Sequence, residues 1–223
     1  MCIDNSKKQS YDSYERMTAP SIILTDTKSR ILVAAENLFG KNGFDGTSLR
    51  DITAEAQVNL AAVNYHFQSK ESLLDAIIER RLEPLNRRRI EMLESAGPTP
   101  TVEQIVEAFL APLLMMESLP AAPLIGRVFS NPNVFVERVY KKHLIPVAER
   151  FAAAIAQALP DLPAKERFWR MQFMAGTMSH LLALSDVLPL MSGEPFNRTA
   201  VMARLVPFLA AGMRAPAASE VSK

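Results

Sequence analysis

The segment VNLAAVNYHFQSKESL, residues 58–73, carries the pattern that decides the fold of this chain. Val63 and Phe67 are four residues apart, so on a helix they share one face, which we expect to be buried. The opposite face then presents small and polar side chains, including Asn59 and Asn64. Such a face suits the major groove of DNA, because Asn can identify adenine and Ala or Leu can contact a thymine methyl group. From these residues alone, an ordinary packing helix and a DNA-reading helix both stay open.

Short helices before this segment and a longer one after it complete the local pattern. Apolar residues at i, i+3, i+4, i+7 and i+8 over residues 31–39 predict a first helix, which Gly43 ends as a left-handed cap. Ser48 and Asp51 form the S-x-x-D cap of a second helix, and Ser69 caps a fourth. Two helices joined by a tight turn and braced by a third are typical of a helix-turn-helix.

The remainder of the chain reads as longer helices with no alternating strand pattern. The fourth helix is predicted to run on to about residue 95, and the Gly-Pro-Thr-Pro stretch at 97–100 is the clearest break. Kinks are predicted at Pro84, Pro112, Pro146 and Pro207, which fall inside apparent helices. Beyond the break the predicted helices span about 101–117, 121–130, 133–158, 164–186 and 197–213. The sequence therefore predicts an all-α fold.

Composition argues against several classes of protein. Hydrophobic residues make up 48% of the 223 residues with only 8 Gly, enough for a sizeable core. The net charge of +1 means that a basic surface must come from local placement rather than overall excess. The lone cysteine, Cys2, excludes an intramolecular disulfide. We find neither a signal-peptide pattern nor a membrane-spanning stretch, so a cytoplasmic protein without a membrane partner is expected.

No catalytic or metal-binding pattern is found. His66 has no set of Cys, His or carboxylate residues at ligand spacing around it. A G-x-S-x-G motif and paired carboxylates in an apolar setting are also absent from the sequence. The sequence predicts no enzyme, no metal and no cofactor.

The stretch TSLRDITAEAQVNLAAVNYHFQSKESL, residues 47–73, resembles the DNA-binding signature of the TetR family of bacterial regulators. The preceding ILVAAENLFGKNGF, residues 31–44, matches that family's first helix, so that the resemblance covers roughly residues 27–80. The form VNLAAVNYHF is similar to regulators of fatty-acid metabolism within the family. One position departs, because the family usually has Gly in the turn where this chain has Gln57. Either the position needs a positive φ, which would cost Gln about 1 kcal/mol, or the turn adopts another shape.

The resemblance implies an N-terminal three-helix helix-turn-helix DNA-binding domain and a C-terminal helical ligand-binding and dimerisation domain. The predicted boundaries are 1–24 for a flexible arm, 25–80 for the DNA-binding domain, 81–214 for the second domain and 215–223 for a flexible tail. The implied function is that of a homodimeric repressor released from double-stranded operator DNA by a small apolar effector such as a fatty-acid derivative. An effector-independent dimeric DNA-binding regulator is one alternative, and a lipid-processing enzyme is another.

Site residues follow from the family pattern and from side-chain chemistry. The predicted DNA-binding residues are Thr47, Ser48, Arg50, Asn59, Leu60, Ala61, Asn64, Tyr65, His66 and Lys70, with Asn59, Leu60 and Ala61 nearest the base edges. The predicted ligand-binding residues are Met115, Met116, Leu124, Phe129, Met171, Met174 and Met178, because Met-rich linings adapt to different apolar shapes. The predicted dimer-interface residues are Gly176, Thr177, Leu181, Leu184, Leu205, Phe208 and Leu209. Pocket and core compete as explanations for every one of these apolar residues.

Two arginine runs, at 80–81 and 87–89, have glutamates interleaved at helical spacing. This pattern predicts a solvated, salt-bridged helix face. Recognition of an anionic ligand head group or of neighbouring DNA is the alternative. His143 and His180 lie on largely apolar faces and are predicted to be core or pocket residues.

Overall fold

The computed structural model describes residues 26–115, 134–184 and 187–217. The helices are α1 (Thr27–Asn42), α2 (Leu49–Ala56), α3 (Leu60–Phe67), α4 (Lys70–Ser95), α5 (Val102–Leu114), α6 (Val134–Val139), a π-helical segment (Tyr140–Leu144), α7 (Ile145–Ala158), α8 (Ala164–Ala183), α9 (Leu188–Ser192) and α10 (Arg198–Arg214). Within these ranges there is no strand, which confirms the predicted all-α fold. The predicted arm at 1–24 and the helix at 121–130 lie outside the described residues.

The described residues pack into two compact units. The first contains the chain up to Glu83 and the stretch from Val134 to Tyr140, and the second contains Pro84–Met115 and the chain from Lys141 onward. Helix α4 is continuous through Pro84 and so contributes residues to both units. No helix in the described ranges has the length and apolar character needed to span a membrane.

The first unit is built on the apolar faces that the spacing predicted. Ile31, Phe39, Ile52, Val63 and Phe67, from α1, α2 and α3, are all at most 5% exposed. Each such burial contributes roughly 1.5–3 kcal/mol relative to exposure. This core holds the three helices together, and α2 and α3, at 8 residues each, are too short to be stable alone.

The ends of these helices follow the predicted signals with one difference. Ser48 and Asp51 form a complete capping box at the start of α2, and Ser69 Oγ accepts a hydrogen bond from the Ser72 backbone N–H at 3.0 Å. Gly43 ends α1 with a positive φ of 81°, but its ψ of 168° is extended rather than left-handed helical.

The second unit is organised around α5. Nearly every position of α5 from Ile105 to Leu114 is apolar, and the helix is buried on most of its circumference. Helices α7, α8 and α10 pack against it. Phe151 of α7, Met174 of α8 and Met202 of α10 supply large side chains to the shared core.

The predicted helix at 133–158 is helical at every position from Val134 to Ala158, as α6, a π-helical segment and α7 in direct succession. The π-helical segment, Tyr140–Leu144, ends directly before α7, whose second residue is Pro146. A π-helical turn and a proline inside a helix are both causes of kinks, and the kink at Pro146 stays a prediction. The short helix α9 was not predicted from the sequence.

Candidate nucleic-acid interface

The turn between α2 and α3 has the hydrogen bonds of a Schellman motif. The Val58 backbone N–H donates to Thr53 O at 3.0 Å, and the Gln57 N–H donates to Ala54 O at 3.2 Å. Gln57 takes the left-handed conformation, with φ 52° and ψ 49°. The turn therefore has the geometry that usually selects Gly, and this chain accommodates Gln instead.

The side chains of Ser48 and Asn59 cap the N-termini of α2 and α3. Asp51 accepts hydrogen bonds from the Ser48 hydroxyl at 2.7 Å and from the Ser48 N–H at 2.8 Å. These two bonds lower the pKa of the Asp51 carboxyl below its usual value. At α3, Asn59 Oδ1 accepts from the Ala62 N–H at 2.8 Å. Asn59 is therefore the N-cap of α3 as well as a predicted base-reading residue.

Most of the predicted DNA-binding residues are exposed or half-buried along α2, α3 and the start of α4. Tyr65 is 83% exposed and Leu60 43%, and Tyr65 and His66 contact each other edge-to-face with ring centroids 5.1 Å apart. Lys70 is half-buried, with its ammonium 4.3 Å from the centre of the Phe44 ring. The other exposed members are Ser48, Arg50, Asn59, Ala61 and Asn64.

Thr47 is not exposed with the other predicted DNA-binding residues. Thr47 is 1% exposed, and its hydroxyl donates to Gly43 O at 2.8 Å. The side chain instead joins the end of α1 to the start of α2. The family pattern assigned a phosphate contact to Thr47, whereas the fold uses its hydroxyl internally.

In the second unit, the four described members of the predicted ligand-binding set belong to the core or border it. Met174 and Met178 are 0% and 6% exposed, and Met115 and Met171 pack against the same cluster. Met116, Leu124 and Phe129 lie outside the described residues. Two open surface clefts, of about 410 and 370 Å³, are found in this unit, and neither is lined by any of the four described methionines.

The predicted dimer residues divide between core and surface. Leu205 and Leu209 are 7% and 8% exposed and pack in the chain's own core, which leaves little of either side chain for contact with a partner. Their helical neighbour Phe208 is 71% exposed. Gly176 is exposed, and Thr177, Leu181 and Leu184 are half-buried.

Sequence reasoning missed an exposed aromatic cluster on α8. Phe168, Trp169 and Phe173 are 54%, 49% and 63% exposed, and none of them is among the predicted dimer-interface residues. Trp169 and Phe173 stack with centroids 6.3 Å apart. The spacing from Trp169 through Phe173 to Gly176 is that of one helical face, a signal that was available in the sequence.

The arginine runs form the predicted solvated face only in part. Arg88 pairs with Glu91 at 3.3 Å on the surface, as predicted. Arg81 pairs instead with the buried Glu36 of α1, and Arg80 Nη1 is buried without a hydrogen-bond partner among the described residues. Arg89, however, is 4% exposed, because its side chain enters the core between α4, α5 and α8. His180 is exposed rather than in the core, and His143 is half-buried.

A model described as bacterial regulatory proteins of the tetR family matches residues 31–77, and a model of the tetracyclin repressor-like C-terminal domain matches residues 107–212. The chain belongs to the TetR family. It is a helix-turn-helix transcriptional regulator and not an enzyme.

Relatives and solved structures agree with this assignment. The transcriptional repressor Rv3405c of Mycobacterium tuberculosis is 29% identical over 136 residues, 60% of this chain and 70% of the relative. The regulator UidR of Escherichia coli is 37% identical over 112 residues, which cover 48% of this chain and 55% of UidR. The structure of the fatty acid degradation regulator FadR from Bacillus halodurans is 14% identical with a TM-score of 0.64 over 84% of this chain and 96% of that one, a likeness of fold.

Proposed function

We propose that this TetR-family regulator is a homodimeric repressor that a small apolar effector, such as a fatty-acid derivative, releases from operator DNA in the bacterial cytoplasm. The observation that carries the DNA-binding part is the exposed surface of α3, where Asn64 and Tyr65 face solvent and Val63 and Phe67 are buried. A relative with 29% identity is named as a repressor, which supports the direction of regulation.

The exposed residues divide into two chemical classes. Leu60 and Ala61 are apolar and Asn59 is an amide, which suits contacts with base edges in the major groove. Tyr65, His66, Lys70 and Arg50 are hydrogen-bond donors or cations, which suit phosphate oxygens. Ser48 and Asn64 fit the second class. Thr47 has no contact with DNA in this proposal, because its hydroxyl is buried and already bonded.

The outer faces of α8 and α10 are the proposed dimer interface. Large aromatic side chains exposed together are costly in water and mark interaction surfaces. Gly176 and Gly212 support this assignment, since a Cβ added at either would meet nothing in the chain's own fold within 4 Å. Glycine inside a helix costs roughly 0.5–1 kcal/mol relative to alanine, and close approach of a helix from a second copy would explain both.

The effector is proposed to bind the Met-rich interior of the second unit, where Met174 and Met178 lie. Two recognition helices must be separated by about 34–36 Å to enter successive major grooves. An effector that binds better to a dimer with another separation lowers operator affinity, and a coupling of ~1–3 kcal/mol changes that affinity about 5–150-fold.

One observation favours an alternative, an effector-independent dimeric regulator. The described interior is closely packed around Met174, and neither surface cleft is lined by any of the four described pocket methionines. A regulator of this kind would use its second unit only to dimerise.

Native mass spectrometry of the purified full chain, compared with its denatured mass, tests the two proposals together with operator selection from random DNA. A dimer with an adduct lost on denaturation supports the effector-responsive repressor. A bare dimer whose affinity for the selected operator is unchanged by apolar small molecules supports the alternative. A monomer, also when mixed with the selected DNA, contradicts both.

A further inference from the structure

Arg89 places a guanidinium in the interior of the second unit without a carboxylate partner among the described residues. The residue is 4% exposed. Its Nε donates to Phe109 O at 2.8 Å, which is a good hydrogen bond. The remaining contacts are weak, because Nη1 lies 3.4 Å from Asn86 Oδ1 and Nη2 has only the Met178 thioether sulfur, a poor acceptor, at 3.5 Å.

A buried guanidinium needs either an anion or a full set of hydrogen-bond acceptors, because removing it from water is costly. Desolvation lowers the pKa of Arg89 to about 10, so the group still carries its charge at neutral pH. Arginine has five N–H donors, and here only Nε has a short, strong acceptor.

The groups around Arg89 are otherwise apolar. The guanidinium lies 4.3 Å from the centre of the Phe109 ring, and Phe109 packs edge-to-face on Phe151 with centroids 5.3 Å apart. Met178 covers the Nη2 side. An occupant of this place would therefore combine one charged group with an apolar body.

We propose that Arg89 binds the carboxylate of the effector, so that the effector is a small carboxylic acid with an apolar body. This proposal rests on the ligand-responsive function proposed above and names the chemical class of its ligand. A carboxylate fits better than a phosphate for two reasons. Its single negative charge balances one buried guanidinium, whereas a phosphate dianion would bury an excess charge. Its two oxygens can accept two parallel hydrogen bonds from the guanidinium. These bonds would replace the weak contacts to Asn86 and Met178.

The site also has a connection to the rest of α4. Asn86, one turn before Arg89, is 8% exposed and donates through Nδ2 to His143 O of the π-helical segment at 2.7 Å. An anion that draws the Arg89 guanidinium away from Asn86 acts on the helix that begins at Lys70, directly after the recognition helix. Binding at Arg89 thus has a covalently continuous element through which to influence α3.

Matched acid and amide probes test the proposal. Decanoate with decanamide, and 4-phenylbutyrate with 4-phenylbutyramide, share their apolar bodies, but each amide lacks the negative charge. For the wild-type full chain we expect at least one acid to bind ~tenfold or more tightly than its amide, the size expected for hydrogen bonds to a charged group. Binding is measured by calorimetry and by the shift in melting temperature.

Variants assign the preference to one residue. Arg89→Met keeps the length and apolar bulk of the side chain without its charge, and we expect the acid and the amide to bind equally. Arg87→Met removes a charge from an exposed position two residues away, and we expect the wild-type preference to persist. An equal loss of preference in both variants would show a general charge effect and overturn the assignment to Arg89.

A measurement on the wild-type protein keeps the test decisive if Arg89→Met fails to fold. We expect decanoate, but not decanamide, to shift the Nε–Hε resonance of Arg89 in ¹⁵N NMR spectra. Equal binding of acids and amides, or no binding of any acid, would overturn the inference. If either result comes with a dimer that binds operator DNA, the proposed regulator stands and only its ligand class is wrong. If operator binding is also absent, the proposed function itself fails.

Discussion

Arg30 of α1 donates through Nη2 to the backbone carbonyl oxygen of Gln57 at 2.7 Å. The same nitrogen lies 2.5 Å from Ala56 O, so one guanidinium holds the carbonyls at the end of α2. Gln57 is the residue with φ 52° in the turn before α3. A side chain from the first helix thus stabilises a backbone conformation that Gln itself disfavours.

Gln57→Gly should stabilise the chain by about 0.5–1 kcal/mol, because glycine adopts positive φ without strain. Chemical denaturation monitored by circular dichroism measures the change in the free energy of unfolding. Gln57→Ala is the matched control, since alanine retains the Cβ and should bring no gain. Equal stabilisation by both would show that the left-handed conformation is not the source of the strain.

Glu36→Gln should destabilise the first unit by about 2–3 kcal/mol, because it leaves the Arg81 guanidinium without its counter-charge. Glu36 is 2% exposed and accepts from Arg81 Nε at 2.7 Å and Nη2 at 2.8 Å. Denaturant unfolding is again the measurement. Glu91→Gln is the control. It removes the carboxylate that pairs with Arg88 on the surface, and it should cost less than about 0.5 kcal/mol. A similar loss of unfolding free energy in both variants would show that the burial of the Glu36 carboxylate does not increase its contribution.

Asn59→Ser should relax base preference at one operator position without destabilising α3. Serine can accept the Ala62 N–H that Asn59 Oδ1 now accepts, but it cannot make the paired hydrogen bonds of Asn with adenine. Asn59→Ala should lose the same preference and also about 1 kcal/mol of stability, because the cap is removed. Binding to a set of single-base operator variants, together with thermal unfolding, separates the two roles. Unchanged base preference in both variants would remove Asn59 from the reading residues.

Tyr65→Phe should weaken binding to operator and to random DNA by the same factor, because the proposed contact of its hydroxyl is a phosphate. Tyr65 is 83% exposed, so the fold should be unaffected. Fluorescence anisotropy with both kinds of DNA at one salt concentration measures the two losses. A loss confined to the operator would instead place Tyr65 at a base edge.

Phe208→Glu should convert the proposed dimer to a monomer with an intact helical fold. A charge placed at a fully desolvated interface position is costly, and Phe208 is 71% exposed in the single chain. Sedimentation velocity reports the oligomeric state, and circular dichroism reports the fold. Leu190→Glu, at an 84% exposed position on α9, is the control and should leave the dimer intact. If only the control dissociates the dimer, the interface lies at α9 rather than on α8 and α10.

Glu103 should contribute stability that disappears in acid. The hydrogen bond from Arg214 lowers the pKa of the Glu103 carboxyl below its usual 4.5. A group whose pKa is lower in the folded than in the unfolded chain stabilises the fold above the unfolded pKa. That contribution is lost as the pH falls through the folded pKa. Unfolding measured between pH 7 and 3 should show a smaller acid loss in Glu103→Gln than in wild type. Glu149→Gln, at an exposed carboxylate of the same unit, should keep the wild-type profile.

The sequence by itself determined the features that depend on neighbouring residues along the chain. The capping box of Ser48 and Asp51, the Ser69 cap and the inner face with Val63 and Phe67 were all predictable. Their physical basis is local, since a cap needs a side chain within three residues and a helical face needs only the period of the helix. The same local signals, joined in one order, carried the resemblance to the TetR family.

Only the tertiary structure decided which side of a helix meets the core, another helix or solvent. Leu205 and Leu209 lie in the chain's own core while Phe208 is exposed, and the sequence had grouped all three. Arg89 is buried although its neighbours Arg87 and Arg88 are not. Helical periodicity tells which side chains share a face, but the element that covers this face is set by packing between segments far apart in sequence. That packing alone turned one arginine of a charged run into a buried cation.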